Sequence, residues 1–313
     1  MTSIANRIGQ ALIVLLLAFT ASFLLLQALP GDAILIKYQN PEMGLNAEQI
    51  AEIRLLYGAD APVWAQYGNT LWNFLQGSFG YSVQAGVPVN TLLAVNLPPT
   101  LRLAALGLIV AVIVAFLLAF ATTLASFRWL RNLLATLPAL MISVPVFWLG
   151  IMLIQIFSFQ LRLVPIINPN AFQALILPVL TLALPIAAPL AQILIRSLDE
   201  VEAQPFVAVA RAKGATRKGV LWRHVLRNAL LPVLTIAGLL FGELLAGAVV
   251  TETVFGINGL GRITEQAVSN QDTAVLQAIV ILAALGFVLI NLVVDLVAPL
   301  IDPRLNRKLE ASA

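Results

Sequence analysis

The side chains able to do chemistry are few and scattered. His224 is the one histidine, and there is no cysteine among the 313 residues. Thiolate catalysis, disulfides and a histidine-rich metal centre are therefore excluded for this chain. No G-x-x-x-x-G-K-[ST] run occurs, so the chain has no phosphate-cradling loop of that kind. No nucleophile–base pattern appears either, and we assign no catalytic residue, metal ligand or bound cofactor. What stands out is polarity in apolar surroundings. Glu243 and Asp295 lie inside long hydrophobic runs, and Asn291 shares a face with Asp295 one helical turn away. An ionised group at a bilayer centre costs ~2.5–3.5 kcal/mol or more. Two readings follow: a translocation path for polar cargo, or structural hydrogen bonds and interface positions. Asp295, near the end of its run, favours the second; Glu243 stays open between the two.

The second concentration of polar chemistry is Asp199–Pro232. Seven of the eighteen Lys and Arg fall between Arg196 and Arg227, with long hydrophobic runs on both sides. A basic segment between two spans belongs in water on the cytoplasmic side. Pro205 suits a first helical turn, with Glu202 supplying the negative charge favoured there. Phe206, Val209, Ala210 and Lys213 recur at i, i+3, i+4 and i+7. Gly214 fits the left-handed position ending that helix, and Thr216 can cap a second from about Arg217 to Asn228. On the second, Leu221, Trp222, Val225 and Leu226 share one side, and Arg223, His224 and Arg227 the other. Two amphipathic helices at a glycine elbow can dock into a partner's groove. A basic loop that only orients the chain is the alternative.

These elements must be positioned by membrane helices. The chain is 60% hydrophobic and 11% charged, with mean hydropathy +0.94. A soluble domain carries ~25% charged residues, so the pattern predicts a polytopic membrane protein. The net charge of +3 is explained by membrane orientation without nucleic acid. Six spans are expected: Ile8–Leu29, Leu101–Ala125, Leu133–Phe159, Leu175–Ile195, Ala229–Val250 and Ala274–Leu300. Each is long enough to cross ~30 Å of hydrocarbon. The first is longer than the ~7–15 apolar residues of a cleaved signal peptide. Pro145 is expected to kink the third span. Gly238, Gly242 and Ala246 form a small-residue face on the fifth. With both termini inside, all but Lys37, Arg54, Arg102, Arg162 and Arg262 of the eighteen Lys and Arg face the cytoplasm, as the positive-inside rule requires.

Pro30–Pro99 is too long for a turn. Asn46 and Gln49 have the spacing of a capping box, with Gly58 ending that helix and Ile50, Ile53 and Tyr57 as its apolar stripe. Pro62–Gly77 predicts a second amphipathic helix with Trp64, Tyr67, Leu71 and Phe74 on one side. These side chains form either an interfacial cap on the bundle or a docking surface for an extracellular partner. Glu252–Gly261 predicts an outer, glycine-rich reversal, followed by an amphipathic return over Arg262–Thr273. Asp302-Pro303-Arg304 begins a short basic tail.

Ala210-Arg211-Ala212-Lys213-Gly214, with His224, Arg227-Asn228-Ala229 and Leu231-Pro232, resembles the cytoplasmic "EAA" loop of ABC-transporter permeases. More narrowly it resembles the peptide/nickel family of oligopeptide and dipeptide permeases, with Ala208 where the wider superfamily often has Glu. Leu56-Tyr57-Gly58, Gln66-Tyr67-Gly68, Gln76-Gly77 and Phe79-Gly80 are similar to that family as well. So is Glu252-Thr253-Val254-Phe255 with Gly259-Leu260-Gly261, where Asn258 replaces the family's usual Pro. The resemblance runs from Leu29-Pro30-Gly31-Asp32 to Asp302-Pro303-Arg304.

The resemblance implies an all-α polytopic fold of the type I ABC importer permease. It has six transmembrane helices and a large extracytoplasmic region after the first. The implied division is 1–96 (first span and extracytoplasmic helices), 97–302 (core, with the coupling loop 196–228) and 303–313 (tail). The implied partners are a second homologous permease, two ATP-binding subunits or domains carrying ATP and Mg, and an extracytoplasmic solute-binding protein. The implied site is a bacterial inner membrane. Phe206, Val209, Ala210, Arg211, Ala212, Lys213, Gly214, Leu221, His224 and Val225 then form the ATPase-coupling loop, and Glu243, Asn291 and Asp295 the possible path. Peptides are the default cargo, with nickel or a metal chelate as the alternative. An ion-gradient transporter using Glu243 or Asp295, and a non-transporting scaffold, are the rivals from other classes.

Overall fold

A computed structural model describes residues 2–28, 33–39, 45–56 and 60–301. Gly58, Tyr57 and the tail from Asp302 lie outside the described residues, as does the side chain of Asp295. In chain order the elements are α1 (Thr2–Gln27), α2 (Ala33–Tyr38), α3 (Ala47–Leu56), α4 (Val63–Leu75), β1 (Tyr81–Ser82), β2 (Val87–Pro88), α5 (Val89–Leu124) and α6 (Arg128–Ser143). Then come α7 (Val146–Leu153, continued by a π-helical stretch, Ile154–Gln160), α8 (Gln173–Glu202), α9 (Pro205–Ala212), α10 (Arg217–Val220, continued by a π-helical turn, Leu221–Val225), α11 (Leu226–Phe255), α12 (Leu260–Ser269) and α13 (Thr273–Ile301). Helices dominate because hydrocarbon offers no partner for a backbone N–H or C=O, and a helix satisfies both internally.

Among the described residues five stretches are long and apolar enough to cross a membrane: 7–27, 89–124, 173–202, 217–255 and 273–294. The expected third span departs from a kinked helix. Residues 128–143 and 146–160 form two helices bent by 102°, which reach spanning length only together. The cause is local. The residue before a proline is pushed out of the helical region, and Val144 is extended at φ −92°, ψ 121°, as is Pro145 at ψ 137° just before the next helix. The second helical span also starts earlier than expected, at Val89 rather than Leu101, with Pro98 and Pro99 inside it. The region expected to run from Pro30 to Pro99 is therefore helical from Val89 onward, and the helix continues through the lost donors of Pro98 and Pro99.

The chain forms two compact units. In the unit of residues 101–256 and 289 onward, α8 is packed upon by α6, α7 and α11. Leu182, Ala183, Ala187, Ala188, Leu190, Ala191 and Leu194 of α8 are almost wholly buried. Two glycines let neighbouring helices close on it. A Cβ at Gly107 of α5 would stand 2.9 Å from Leu182 Cδ2, and one at Gly247 of α11 would stand 2.9 Å from Leu182 Cδ1. Leu182 is thus gripped from both sides. Of the expected small-residue face on α11, Gly238 alone packs inside the chain, with Asn291 Oδ1 3.1 Å from where its Cβ would be. Gly242 and Ala246 are exposed.

The other unit contains residues 6–100 and 257–288. Its core gathers Val89, Leu93, Leu260, Ile263, Val275 and Leu276. The capping box is present: Asn46 N donates to Gln49 Oε1 and Gln49 N to Asn46 Oδ1, both at 2.9 Å. The predicted all-α region also holds a two-residue antiparallel hairpin, pairing Tyr81 with Pro88 and Ser82 with Val87. Asp272, 2% exposed, fixes that hairpin. Its Oδ2 accepts from Ser82 Oγ at 2.5 Å and Gln84 N at 3.4 Å. The glycine-rich reversal forms as expected, with Gly256 at φ +65° ending α11 and Leu260 N donating to Thr100 Oγ1 at 2.8 Å.

The grip on Leu182 makes a testable non-additivity. A single Gly107→Ala or Gly247→Ala lets Leu182 lean toward the glycine that remains, and each should cost ~1 kcal/mol or less. The double substitution removes both escapes and should cost ~1–2 kcal/mol beyond the sum. Unfolding of the detergent-purified chain measures this. Additive losses would show that Leu182 is not held from both sides.

Candidate functional site

The elbow is built by ordinary helix-end chemistry. Gln204 is extended, at φ −74° and ψ 147°, and Pro205 opens α9 with its φ already helical. At the other end Gly214 sits at φ +85°, where a Cβ would be strained. Gly214 N donates to Arg211 O at 2.9 Å and Ala215 N to Ala210 O at 3.2 Å. That pair of bonds is the Schellman arrangement, which satisfies carbonyls left over at the helix end. Thr216 Oγ1 then accepts from Gly219 N at 3.2 Å and caps α10.

The second helix is not short. The expected end at Asn228 and restart at Ala229 are replaced by continuous helix from Arg217 to Phe255. Pro232 lies inside it, and the π-helical turn Leu221–Val225 precedes that proline. Glu202 is also placed differently. It is the last residue of α8, not part of the first turn of α9, and it pairs with Arg211 at 3.6 Å.

Burial divides the elbow residues into two groups. Phe206 and Val209 are exposed, at 38% and 55%. Arg211, Ala212, Lys213, Gly214 and His224 are exposed as well, and Ala210 is half-buried. Leu221 and Val225, at 0%, are instead sealed inside the chain. They hold the segment to the bundle and present nothing to a partner. The 3.6-residue pattern marks an apolar side but does not say which neighbour covers it. Val207, absent from the predicted set, is 1% exposed and pins α9 from below. Two further anchors were also missed. Trp222 stacks on Phe120 with ring centroids 4.7 Å apart. Arg217 Nη2 donates to Thr123 O at 2.5 Å, placing a cation on the carbonyls at the end of α5, where it is favoured. Arg131 and Asp199 at 2.7 Å tie the start of α6 to the end of α8. The result is one exposed helix, α9, hinged by Gly214 to a second helix that is locked to the bundle.

Further along α11, Thr235, Leu239, Gly242, Glu243, Ala246 and Val250 are all exposed. At 100° per residue they share one arc, so Glu243 belongs to an open, mixed stripe of small and polar side chains. Asn291 is elsewhere. It packs at Gly238, whose direction on α11 lies about 140° from that of Glu243. The structure therefore does not gather Glu243 and Asn291 into one constellation. The recurrence of Thr235, Gly242, Glu243 and Ala246 at helical spacing was the sequence signal for this stripe. Among the described residues no cluster of acidic and histidine side chains could hold a metal ion.

Residues 107–307 match the family model described as "Binding-protein-dependent transport system inner membrane component". The chain belongs to that family. This inner membrane component is 38% identical over 294 residues to the glutathione transport system permease protein GsiC of Salmonella typhimurium, covering 94% of this chain and 95% of that one. It is 36% identical over 311 residues to the probable peptide ABC transporter permease protein y4tP of Sinorhizobium fredii, covering 97% and 98%. Among solved structures it resembles the MetNI methionine ABC transporter in an inward-facing conformation, with a TM-score of 0.51 and 20% identity over 67% of this chain and 96% of that chain. An amino acid ABC transporter crystallised with histidines gives a TM-score of 0.50 at 19% identity, over 67% and 94%. These structural likenesses establish the fold. The inner membrane component is thus a helical, multi-pass membrane protein, with five helices among the described residues long and apolar enough to span, or six candidates when the bent pair counts as one.

The geometry of Gly214 predicts how the elbow fails. Nothing lies within 4 Å of a Cβ built there, so a substitution meets strain and no clash. Gly214→Val should cost ~1 kcal/mol or more locally, whereas Gly214→Asn, which tolerates positive φ, should cost less. Limited trypsin digestion in detergent should cut after Arg211 and Lys213 several-fold faster in Gly214→Val, with the thermal midpoint of the spans unchanged. Equal rates in all three proteins would mean that the glycine does not set the elbow.

Proposed function

We propose that this chain is a permease subunit of an ATP-driven importer and forms half of a translocation path for peptides or similar small solutes. An extracytoplasmic binding protein delivers the solute. A second, homologous permease supplies the other half, and two ATP-binding subunits or domains supply the energy, with ATP and Mg bound there. Six spans, the bent α6–α7 pair counted as the third, put both termini in the cytoplasm of a bacterium. The elbow then faces the ATPases, and part of 33–88 faces outward. The glutathione and peptide names of the relatives reported above favour peptide-like cargo over nickel.

The observation that carries this reading is the continuous helix 217–255. One end of it is the elbow, and Glu243 is displayed about two-thirds of the way along it. A partner that seats on Phe206, Val209 and the exposed basic residues can move α9. Because Trp222, Arg217, Leu221 and Val225 clamp the next helix to the bundle, that motion reaches the spans as a rigid displacement. The spans open alternately to the two sides. Glu243 stands in the path and handles polar groups of the cargo, at a position where lipid would oppose an ionised carboxylate.

Three experiments test it. In proteoliposomes containing the complete transporter and binding protein, uptake should need ATP inside. Uptake by this chain alone with only an ion gradient would favour the secondary-transporter reading. Glu243→Gln should change uptake several-fold while assembly and basal ATP hydrolysis stay near normal, whereas failure to assemble would make Glu243 structural. Gly214→Val should insert normally yet retain little ATPase on co-purification. Full ATPase retention with normal uptake would remove the elbow as the coupling element.

A further inference from the structure

Helix α4 divides into three sectors, and the middle one is unexplained by the packing of the chain. On a helical wheel Tyr67, Thr70, Leu71 and Phe74 fall in one arc and are half-buried. Tyr67 meets Phe19 and Phe23 edge-on at 5.5 and 5.3 Å, Phe74 meets Phe19 at 5.4 Å, and Tyr67 Oη shares a hydrogen bond of 2.9 Å with Thr20 Oγ1. The next arc holds Trp64, Gly68, Trp72 and Leu75. All are exposed, Trp64 at 78%, Trp72 at 62% and Leu75 at 72%. The third arc holds Asn69, Asn73 and Gln76, also exposed. Trp64 therefore leaves the group in which the sequence pattern put it with Tyr67, Leu71 and Phe74.

The depth of α1 says what covers the middle arc. After Arg7 the helix carries no charge through Gln27, a length of about 30 Å at 1.5 Å per residue. The partners of α4, Phe19, Thr20 and Phe23, lie about 18–24 Å beyond Arg7 by the same rise. They are inside the hydrocarbon thickness of ~30 Å, within about 6–12 Å of its far boundary. A helix touching α1 at that level cannot stand clear of the membrane. Its exposed apolar arc continues the lipid-facing surface of α1, where Leu16, Leu17, Leu24 and Leu25 are exposed. Its Asn and Gln arc lies about 140° round the helix from the arc that meets α1.

We infer that α4 is an interfacial anchor, with Trp64, Gly68, Trp72 and Leu75 seated at the headgroup–acyl boundary of the leaflet farther from Arg7. The composition suits that place. Tryptophan is enriched at that boundary, where its ring is buried and its N–H stays near water, and an apolar arc beside a polar one is the pattern of a helix lying in the interface plane. In an open aqueous space two such tryptophans would form an uncovered apolar patch.

The absence of cysteine gives a clean background for the test. Single cysteines are introduced as Trp64→Cys, Gly68→Cys, Trp72→Cys, Leu75→Cys, Asn69→Cys and Asn73→Cys, and labelled with a nitroxide. The full chain is labelled before it is combined with cysteine-free forms of the subunits that purify with it, and the assembly is placed in lipid nanodiscs. Collision rates are then read by electron paramagnetic resonance with oxygen, which partitions into lipid, and with a water-soluble nickel chelate. At 64, 68, 72 and 75 the oxygen-to-nickel ratio should exceed that at 69 and 73 several-fold. Equal ratios on the two arcs would place the tryptophans in water and overturn the anchor. Low collision with both reagents at 64 and 72 would show a protein partner on this arc and overturn it equally. Four sites on one arc keep the result decisive if either tryptophan variant fails to fold.

Discussion

Close approach to α8 is the constraint on which the unit around it depends. Lipid chains are as apolar as leucine, so burying leucine gives little reason for one span to prefer another. What holds spans together is contact at short range. α8 supplies it with alanines at 183, 187, 188 and 191, and its neighbours supply it with Gly107, Gly150 and Gly247. Gly150 brings α7 to within 3.1–3.3 Å, measured from an added Cβ, of Val254, Phe255 and Thr181. Each glycine costs backbone entropy and in return removes the methyl that would keep two helices apart. The buried face of α8 is consequently rigid, and the elbow that follows it in the chain starts from a fixed point.

That rigidity separates the elbow into a part that transmits and a part that receives. α10 and the π-helical turn are fixed by packing at Leu221 and Val225, by the stacking of Trp222 on Phe120, and by Arg217 on the carbonyl of Thr123. α9 has Val207 as its one buried anchor, with the Glu202–Arg211 pair at 3.6 Å beside it. That pair is half in solvent and contributes at most ~1 kcal/mol. A segment with few buried contacts opens at low free energy. The side of the elbow displaying Phe206 and Val209 is thus the side least held by its own chain, which suits a surface completed by another protein.

Helix existence was legible in the sequence because hydrophobic length and helical period are local properties. So were Gly214, Thr216, Pro205 and the Asn46–Gln49 box, where one residue's backbone or oxygen decides the outcome. Family membership was legible from the Ala210–Pro232 stretch. What was not legible depended on neighbours far away in sequence. Leu221 and Val225 resemble Phe206 and Val209 by pattern, yet the first two are covered by the bundle. Trp64 shares a spacing with Leu71 but not a neighbour. Pro145 announced a disruption without its angle, because the 102° bend follows from two residues, Val144 and Pro145, both being extended. Continuity across Asn228 was hidden because polarity ended there while the helix did not.

The open stripe on α11 is a part of this unit that its own packing leaves uncovered. Gly242 has nothing within 4 Å of a Cβ, and Glu243 and Ala246 beside it are exposed. Left against lipid, the glycine and alanine would forgo the close contacts that hold spans together, and a carboxylate near the middle of the span would cost ~2.5–3.5 kcal/mol if ionised. Small residues flanking a charge are favourable only where another backbone comes near or water enters. In the assembly proposed above, a second permease facing this stripe would provide both conditions, packing at Gly242 and Ala246 and leaving a wet seam at Glu243. The two roles conflict if the packing is permanent, since a sealed seam passes no solute. They are reconciled if the seam opens and closes as helix 217–255 moves, with Glu243 alternately hydrated and covered.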